Sequence, residues 1–201
     1  MVRFYIIGLI FLFCGCSKPQ KSVDKLPGDA VILAFGDSLT YGTGASSEHD
    51  YPHVLAQLSR REVINEGVPG EISADGLKRL PVLLDEYQPK LLILIHGGND
   101  LLKKIPKPIT EKNLDEMIAA AKSRGIQVVL AGVPEPGLIL LESSPFYKTI
   151  AARNDLLVDL DSLPSILGDN DLKSDLIHPN DEGYRRLATN IYELLIKAGA
   201  L

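Results

Sequence analysis

Four short polar blocks in the sequence contain the residue types from which a hydrolytic site is built. They are residues 36–39, 65–70, 97–100 and 175–179. The first block holds a serine, the second and third hold asparagine and glycine, and the last holds an aspartate and a histidine. The first three follow short apolar runs, as residues at the ends of buried strands would.

Ser38, Asp175 and His178 could together form a nucleophilic set. A serine hydroxyl becomes a good nucleophile when a base removes its proton, and the base needs a partner that fixes its tautomer. Asp175 and His178 are three residues apart, so their side chains can meet in a turn while Nε2 of His178 faces Ser38. Taken alone, Ser38 has the position of a helix cap, and an Asp-x-x-His spacing is common by chance.

Asn99 and Gly70 are candidate donors to a developing oxyanion. A side-chain amide and a backbone N–H can both stabilise negative charge on an acyl oxygen. Glycine also permits close approach of the backbone. Gly67 is the alternative to Gly70 within the second block. In isolation, the Gly-Asn pair of the third block is typical of a turn.

Apolar runs of two different periods alternate along the chain and would position these blocks. Runs rich in Val, Ile and Leu predict buried parallel strands at 30–35, 62–65, 91–96, 127–132 and 156–159. Helices are predicted at 51–61, 73–84, 110–123 and 180–197. We expect Asp50 and Thr110 to cap two of them and Pro81 to interrupt a third. This alternation predicts an α/β domain with helices on both faces of a parallel sheet, and ligands at the carboxyl ends of its strands.

The blocks, in this order and after these elements, resemble the SGNH hydrolase (GDSL esterase/lipase) superfamily. The Gly-Asp-Ser-Leu, Gly-x-Asn-Asp and Asp-x-x-His-Pro blocks match residue for residue, and the similarity spans residues 32–195. Within the superfamily, the sequence is similar to the small bacterial arylesterase, acyl-CoA thioesterase and lysophospholipase branch. The resemblance implies a three-layer α/β/α fold with a five-stranded parallel sheet in flavodoxin-like order.

The resemblance also implies a role for each site residue. Ser38 would be the nucleophile, His178 the general base and then the general acid, and Asp175 its orienting carboxylate. The backbone N–H groups of Ser38 and Gly70 and the side chain of Asn99 would form the oxyanion hole. The reaction would pass through an acyl-enzyme, with no cofactor and no metal.

The N-terminal residues predict export and a lipid anchor. The apolar run at 4–13 follows Arg3 and is too short to span a hydrocarbon core of roughly 30 Å. Gly15 and Cys16 resemble a bacterial lipobox, so we expect a signal peptide at 1–15, a lipidated Cys16 and tether at 16–28, and the hydrolase domain at 29–201. The alternative is a plain signal peptide or an uncleaved anchor with incidental cysteines.

Composition limits the partners. The chain has 21 Lys and Arg against 26 Asp and Glu, and it has no basic run, so nucleic acid is not an expected partner. Its two cysteines both lie near the N-terminus, which excludes a disulfide framework in the body. His49 and His53 have a metal-like spacing but lack a third ligand, and His96 is expected to be packed. We expect a monomer.

The expected function is hydrolysis of small-molecule or lipid acyl esters or thioesters in the cell envelope. The protein would face the periplasm from the outer membrane if the cell has two membranes, since Ser17 is not the aspartate associated with inner-membrane retention. One alternative is a carbohydrate or peptidoglycan O-acetylesterase. The alternative from another class is a non-catalytic binding lipoprotein.

Overall fold

Five parallel strands form the centre of the domain in a computed structural model that describes residues 23–135 and 141–201. They are β1 (Val31–Gly36), β2 (Glu62–Gly67), β3 (Leu91–Ile95), β4 (Gln127–Ala131) and β5 (Leu157–Asp159). The sheet order is β2-β1-β3-β4-β5, with every pair parallel. This confirms the predicted flavodoxin-like order.

The register of the central strands brings the polar blocks to one edge. Gly36, at the end of β1, pairs with Gly67 of β2 on one side and with Ile95 of β3 on the other. The residues after these three positions therefore leave the sheet side by side. All five residues of β3 are buried, as expected for a central parallel strand covered on both faces.

Helices cover both faces of the sheet. They are α1 (Ser38–Tyr41), α2 (Tyr51–Ser59), α3 (Ser73–Tyr87), α4 (Gly98–Leu102), α5 (Lys107–Lys122), α6 (Pro145–Arg153), α7 (Ser162–Gly168) and α8 (Asp181–Lys197). A 3₁₀ turn covers Asn170–Leu172. Because α2 packs on α8 and α3 packs on α5, the helices form the outer layers of the predicted α/β/α architecture.

Pro81 does not interrupt α3, contrary to the prediction. The helix continues through it to Tyr87, with Leu80, Leu83 and Leu84 buried in the core. A proline inside a helix costs about 3 kcal/mol, whereas burying one leucine side chain gives about 1.5–3 kcal/mol. The burial on either side of Pro81 outweighs the lost hydrogen bond.

Thr110 is not a helix cap, and this prediction is also wrong. α5 begins at Lys107, so Thr110 lies in its first turn, where its buried hydroxyl donates to Oδ1 of Asp100 over 3.2 Å. Pro108 near the start of α5 explains the earlier beginning, because proline fits the first turn of a helix. The predicted cap at Asp50 is confirmed, since its carboxylate accepts from the N–H of His53.

The N-terminal segment joins the domain earlier than the sequence predicts. Residues 16–28 are the predicted tether, but the N–H of Val23 donates to the carbonyl of Ala198, and the N–H of Leu26 donates to that of Ala200. Leu26 is buried in the core. Cys14 and Cys16 lie outside the described residues. Among the residues that are described, no helix is both long and apolar enough to cross a bilayer.

Candidate active site

Ser38 stands where β1 turns into α1. Asp37 is the N-cap of α1, and its Oδ1 accepts from the N–H of Leu39 over 3.1 Å. As the first helical residue, Ser38 has a backbone N–H that no carbonyl of its helix can accept. A side chain at Gly36 would collide with the carbonyl of Ile95, so only glycine lets β1 and β3 approach this closely here. Burial raises the pKa of Asp37, although the nearby His96 and His178 oppose the shift.

The structure brings Ser38, His178 and Asp175 together from opposite ends of the sequence. Nε2 of His178 lies 3.0 Å from Oγ of Ser38, and Nδ1 lies 2.8 Å from Oδ2 of Asp175. Oδ1 of Asp175 accepts the N–H groups of Ile177 and His178, which shapes the turn between the two side chains. The histidine is thus oriented from one side and faces the serine on the other.

The charge on Asp175 is favoured by its contacts. Partial burial by itself raises the pKa of this carboxyl, but the hydrogen bonds from the His178 side chain and the Ile177 backbone outweigh burial and lower it. The lowered pKa favours the ionised form of Asp175. Its side chain is 52% exposed while that of His178 is 13% exposed, so water reaches the acid more readily than the base.

Asn99 lies in the first turn of α4 and is oriented by the second polar block. One hydrogen of its Nδ2 is donated to the carbonyl of Glu71 over 3.0 Å. The amide carries a second hydrogen, and Asn99 lines the same cavity as Ser38 and His178. The side chain is thus held at one hydrogen and can present the other to a bound acyl oxygen.

Gly70 and Gly67 have different environments. The N–H of Gly67 is donated to Oδ1 of Asn65 over 3.0 Å, and a side chain there would lie 2.0 Å from the backbone nitrogen of Tyr41. Packing therefore accounts for the glycine at Gly67. Gly70 has a φ of 79° and open space beside its Cα, and among the described residues its N–H has no acceptor. Among the described residues, the N–H of Gly70 is therefore available to a further acceptor, whereas that of Gly67 is already bonded.

A partly buried ionic network supports the loop that carries Gly70. Nε and Nη2 of Arg79 donate to both oxygens of Glu71 over 3.0 and 2.9 Å, and Nη1 donates to Glu66. The guanidinium lies 4.3 Å from the ring centre of Phe35. His96, fully buried, contacts Glu71 through Nε2 at 3.1 Å. These contacts fix Glu71, whose carbonyl orients Asn99.

Asp100 anchors the start of α3 to α4. Its carboxylate accepts from the backbone N–H and the hydroxyl of Ser73 as well as from Thr110, and it is 1% exposed. Through these contacts, Asp37 and Asp100 hold the turns around the site. His96 is packed as predicted, since its Nδ1 accepts from Gly97 and its carbonyl accepts from the hydroxyl of Tyr147.

A cavity of about 400 Å³ opens beside the serine, and its walls are mainly apolar. The apolar residues that line it come from loops and helix ends at the carboxyl edge of the sheet: Leu39, Leu102, Val133, Pro134, Leu141, Leu167, Leu176 and Ile177. Sequence reasoning missed this set. The available signal was the pair Leu176-Ile177, which places two large apolar residues in a turn between an acid and a base.

The remaining histidines have local partners. Nδ1 of His53 lies 2.6 Å from Oδ2 of Asp50, and Nδ1 of His49 lies near Ser46 and the carbonyl of Ser47. In the parts of the chain that the structure describes, no three His, Cys, Asp or Glu side chains gather as metal ligands.

Known proteins are similar to this chain in sequence and in fold. The model of the GDSL-like Lipase/Acylhydrolase family matches residues 34–186. An arylesterase from Vibrio mimicus is 34% identical over 141 residues, which cover 68% of this chain and 66% of that protein. Esterase TesA from Pseudomonas aeruginosa is 30% identical over 174 residues, which cover 82% of this chain and 87% of that protein.

A solved structure extends the likeness in fold. Esterase EstA from Pseudoalteromonas sp., described as psychrotrophic, superposes with a TM-score of 0.73 at 24% identity, over 84% of this chain and 98% of that one. The family match covers more than half of the chain, so this protein belongs to the GDSL/SGNH family of ester hydrolases and acylhydrolases. The superfamily predicted from the polar blocks is confirmed.

Proposed function

We propose that the protein hydrolyses carboxylic esters or thioesters with Ser38 as nucleophile, His178 as general base and Asp175 as the group that orients it. The observation that carries the proposal is the continuous pair of contacts, 3.0 Å from Ser38 to His178 and 2.8 Å from His178 to Asp175. Both lie within the reach that proton transfer requires.

These contacts support the following order of bond changes. Nε2 of His178 takes the proton of Ser38 as Oγ attacks the carbonyl carbon, and the acyl oxygen becomes an oxyanion. The oxyanion collapses, the alcohol or thiol leaves with the proton held by His178, and an acyl-serine remains. Water activated by the same histidine then releases the acid. Donors from Ser38, Gly70 and Asn99 would stabilise both oxyanions.

The size and the apolar walls of the cavity favour substrates with acyl groups larger than acetate. Its apolar walls offer contacts that an acetyl group is too short to use, while each added buried CH₂ contributes about 0.8 kcal/mol. This favours arylesterase, thioesterase or lysophospholipase activity over O-acetylesterase activity. The similarity to an arylesterase and to Esterase TesA also supports action on carboxylic esters.

Hydrolysis of aryl acetate, butyrate, octanoate and palmitate by the purified protein tests this function. We expect kcat/KM to rise from acetate to a chain that fills the cavity, and Ser38→Ala to be inactive on every ester. Ser165→Ala, an exposed serine of α7, is the matched control and should act as wild type. Turnover of acetate alone would support the O-acetylesterase, and no turnover at all would support a binding lipoprotein.

We further propose that the monomeric protein is exported, cleaved before Cys16 and lipidated there, so that it faces the periplasm where the cell has an outer membrane. The support is the apolar run at 4–13 followed by Gly15 and Cys16. Metabolic labelling with an alkynyl fatty acid tests it. Wild type should be labelled and Cys16→Ala should not, while Cys14→Ala, the neighbouring control, should keep the label.

A further inference from the structure

The N-terminal segment is docked at the edge of the sheet opposite to the site. The N–H of Asp24 donates to Oε1 of Gln127 over 2.6 Å, and Nε2 of Gln127 donates back to the carbonyl of Asp24 over 3.0 Å. Gln127 is the first residue of β4, so this contact lies at the amino ends of the strands. Ser38 and His178 lie at the carboxyl ends.

The length of α8 gives the distance between the two edges of the sheet. His178 lies just before the start of α8, and Ala198, which accepts from Val23, follows its end. The 17 residues of α8 are about 25 Å long at 1.5 Å per residue. Three contacts, to Ala198, Ala200 and Gln127, together with the buried Leu26, prevent the segment from swinging toward the site.

The chain between Cys16 and Val23 is short on this scale. Val23 follows Cys16 by seven residues, so this stretch can span at most about 25 Å. The mouth of the cavity could therefore meet the membrane that holds Cys16 only with the chain pulled straight along the outside of the domain. Any shorter span between Cys16 and Val23 leaves the mouth of the cavity away from that membrane.

We propose that the anchored enzyme takes acyl esters that reach it through the aqueous phase, and not lipids of the bilayer that anchors it. This rests on the proposed hydrolase function and on lipidation at Cys16. The exposed apolar residues at the mouth, among them Leu176 at 87% exposure, then face the compartment and receive the acyl chain of an arriving substrate.

A change in the length of the tether tests the proposal. The lipidated chain is reconstituted in phosphatidylcholine–phosphatidylglycerol vesicles that contain 4-nitrophenyl palmitate, with dissolved 4-nitrophenyl butyrate as the second substrate. A variant carries thirty inserted Gly and Ser residues between Ser22 and Val23. We expect hydrolysis of the membrane-held palmitate to rise at least about tenfold in the long-tether variant, because the site gains access to its own bilayer, and butyrate hydrolysis to be equal in both. Equal palmitate rates in the two proteins would overturn the proposal.

A second readout does not depend on activity. Fluorophores are attached to Leu176→Cys at the mouth and, as the matched control, to Lys25→Cys in the docked segment, in vesicles with a headgroup quencher. Lys25→Cys should be quenched and Leu176→Cys should not; equal quenching contradicts the orientation. A chain that does not bind vesicles at all refutes lipidation and the orientation with it. Absence of butyrate hydrolysis alone refutes only the hydrolase function.

Discussion

Asp175 has two separate tasks, one for each carboxylate oxygen. Oδ1 accepts the backbone N–H groups of Ile177 and His178 and so stabilises the turn. Oδ2 accepts a hydrogen bond from Nδ1 of His178. An asparagine would keep the first task and fail in the second, because its amide N–H group cannot accept the proton of Nδ1. At this residue, folding and catalysis can therefore be separated experimentally.

Asp175→Asn should lower kcat on the order of 10³–10⁴-fold, because His178 would present its proton instead of its lone pair to Ser38. The unfolding transition should stay close to that of wild type. Steady-state kinetics and a denaturant titration measure the two effects. Asp171→Asn, an exposed aspartate of the neighbouring 3₁₀ turn, is the control. A near-normal kcat in Asp175→Asn would show that the acid does not orient the base.

Asn99→Ala should lower kcat by about 10²–10³-fold and change KM little, because its free amide hydrogen would act on the oxyanion and not on the ester carbonyl. The structure leaves that hydrogen available after the bond to Glu71. Asn113→Ala serves as the control, since the amide of Asn113 donates to the hydroxyl of Ser73 and does not line the cavity beside Ser38. If KM rose and kcat did not change in Asn99→Ala, Asn99 would act in substrate binding instead.

At the scale of elements, the sequence predicted the sheet better than the helices. Runs of Val, Ile and Leu mark buried strands because both faces are covered, and the sheet order followed from the family resemblance. Pro81 and Thr110 misled the helix prediction, because local preferences of a few kcal/mol yield to burial of leucines and to the contact with Asp100. The shortest helices, α1 and α4, are too short for a 3.6-residue period to be visible.

The network around Glu71 also escaped the sequence, because its partners come from three separate segments. Burial raises the pKa of Glu71, but the hydrogen bonds from His96 and Arg79 outweigh burial and lower it below its ordinary 4.5. A carboxyl whose pKa is lower in the folded than in the unfolded state stabilises the fold above the unfolded value. That stabilisation is lost as the pH falls through the folded pKa.

Glu71→Gln should therefore be less stable at neutral pH and should lose less further stability than wild type on acidification below pH 4.5. Denaturant unfolding at a series of pH values measures both slopes. Asp75→Asn removes an exposed carboxylate paired with Lys78 on the same helix and should follow the wild-type curve. Parallel curves for Glu71→Gln and wild type would show that the network does not stabilise the folded carboxylate.

At the scale of the whole molecule, the grouping of Ser38, His178 and Asp175 could be predicted from the sequence, and the cavity could not. Each polar block can be recognised in the sequence by its residue types and their spacing. The walls of the cavity come from six or more loops and helix ends, which are brought together only in the folded protein. The docking of Val23 and Leu26 was missed for the same reason, since their partners follow α8, far along the chain.

Leu102→Ala should reduce kcat/KM for octanoate by a few-fold and leave acetate unchanged, because Leu102 lines the cavity but is 44% exposed, so its removal costs little stability. Competition between the two esters in one reaction measures the ratio directly. Val82→Ala, which shortens an exposed apolar side chain of α3 away from the cavity, is the control. An equal loss on acetate would mean that Leu102 does not contact the acyl chain.

Labelling with a fluorophosphonate tests whether Ser38 is the nucleophile. The phosphorus of such a probe is attacked by an activated serine oxygen, which leaves a stable adduct. We expect one adduct per chain in wild type, located by peptide mass on Ser38, and none in Ser38→Ala or in His178→Ala. An unlabelled wild-type protein, or equal labelling of Ser38→Ala, would contradict this role of Ser38.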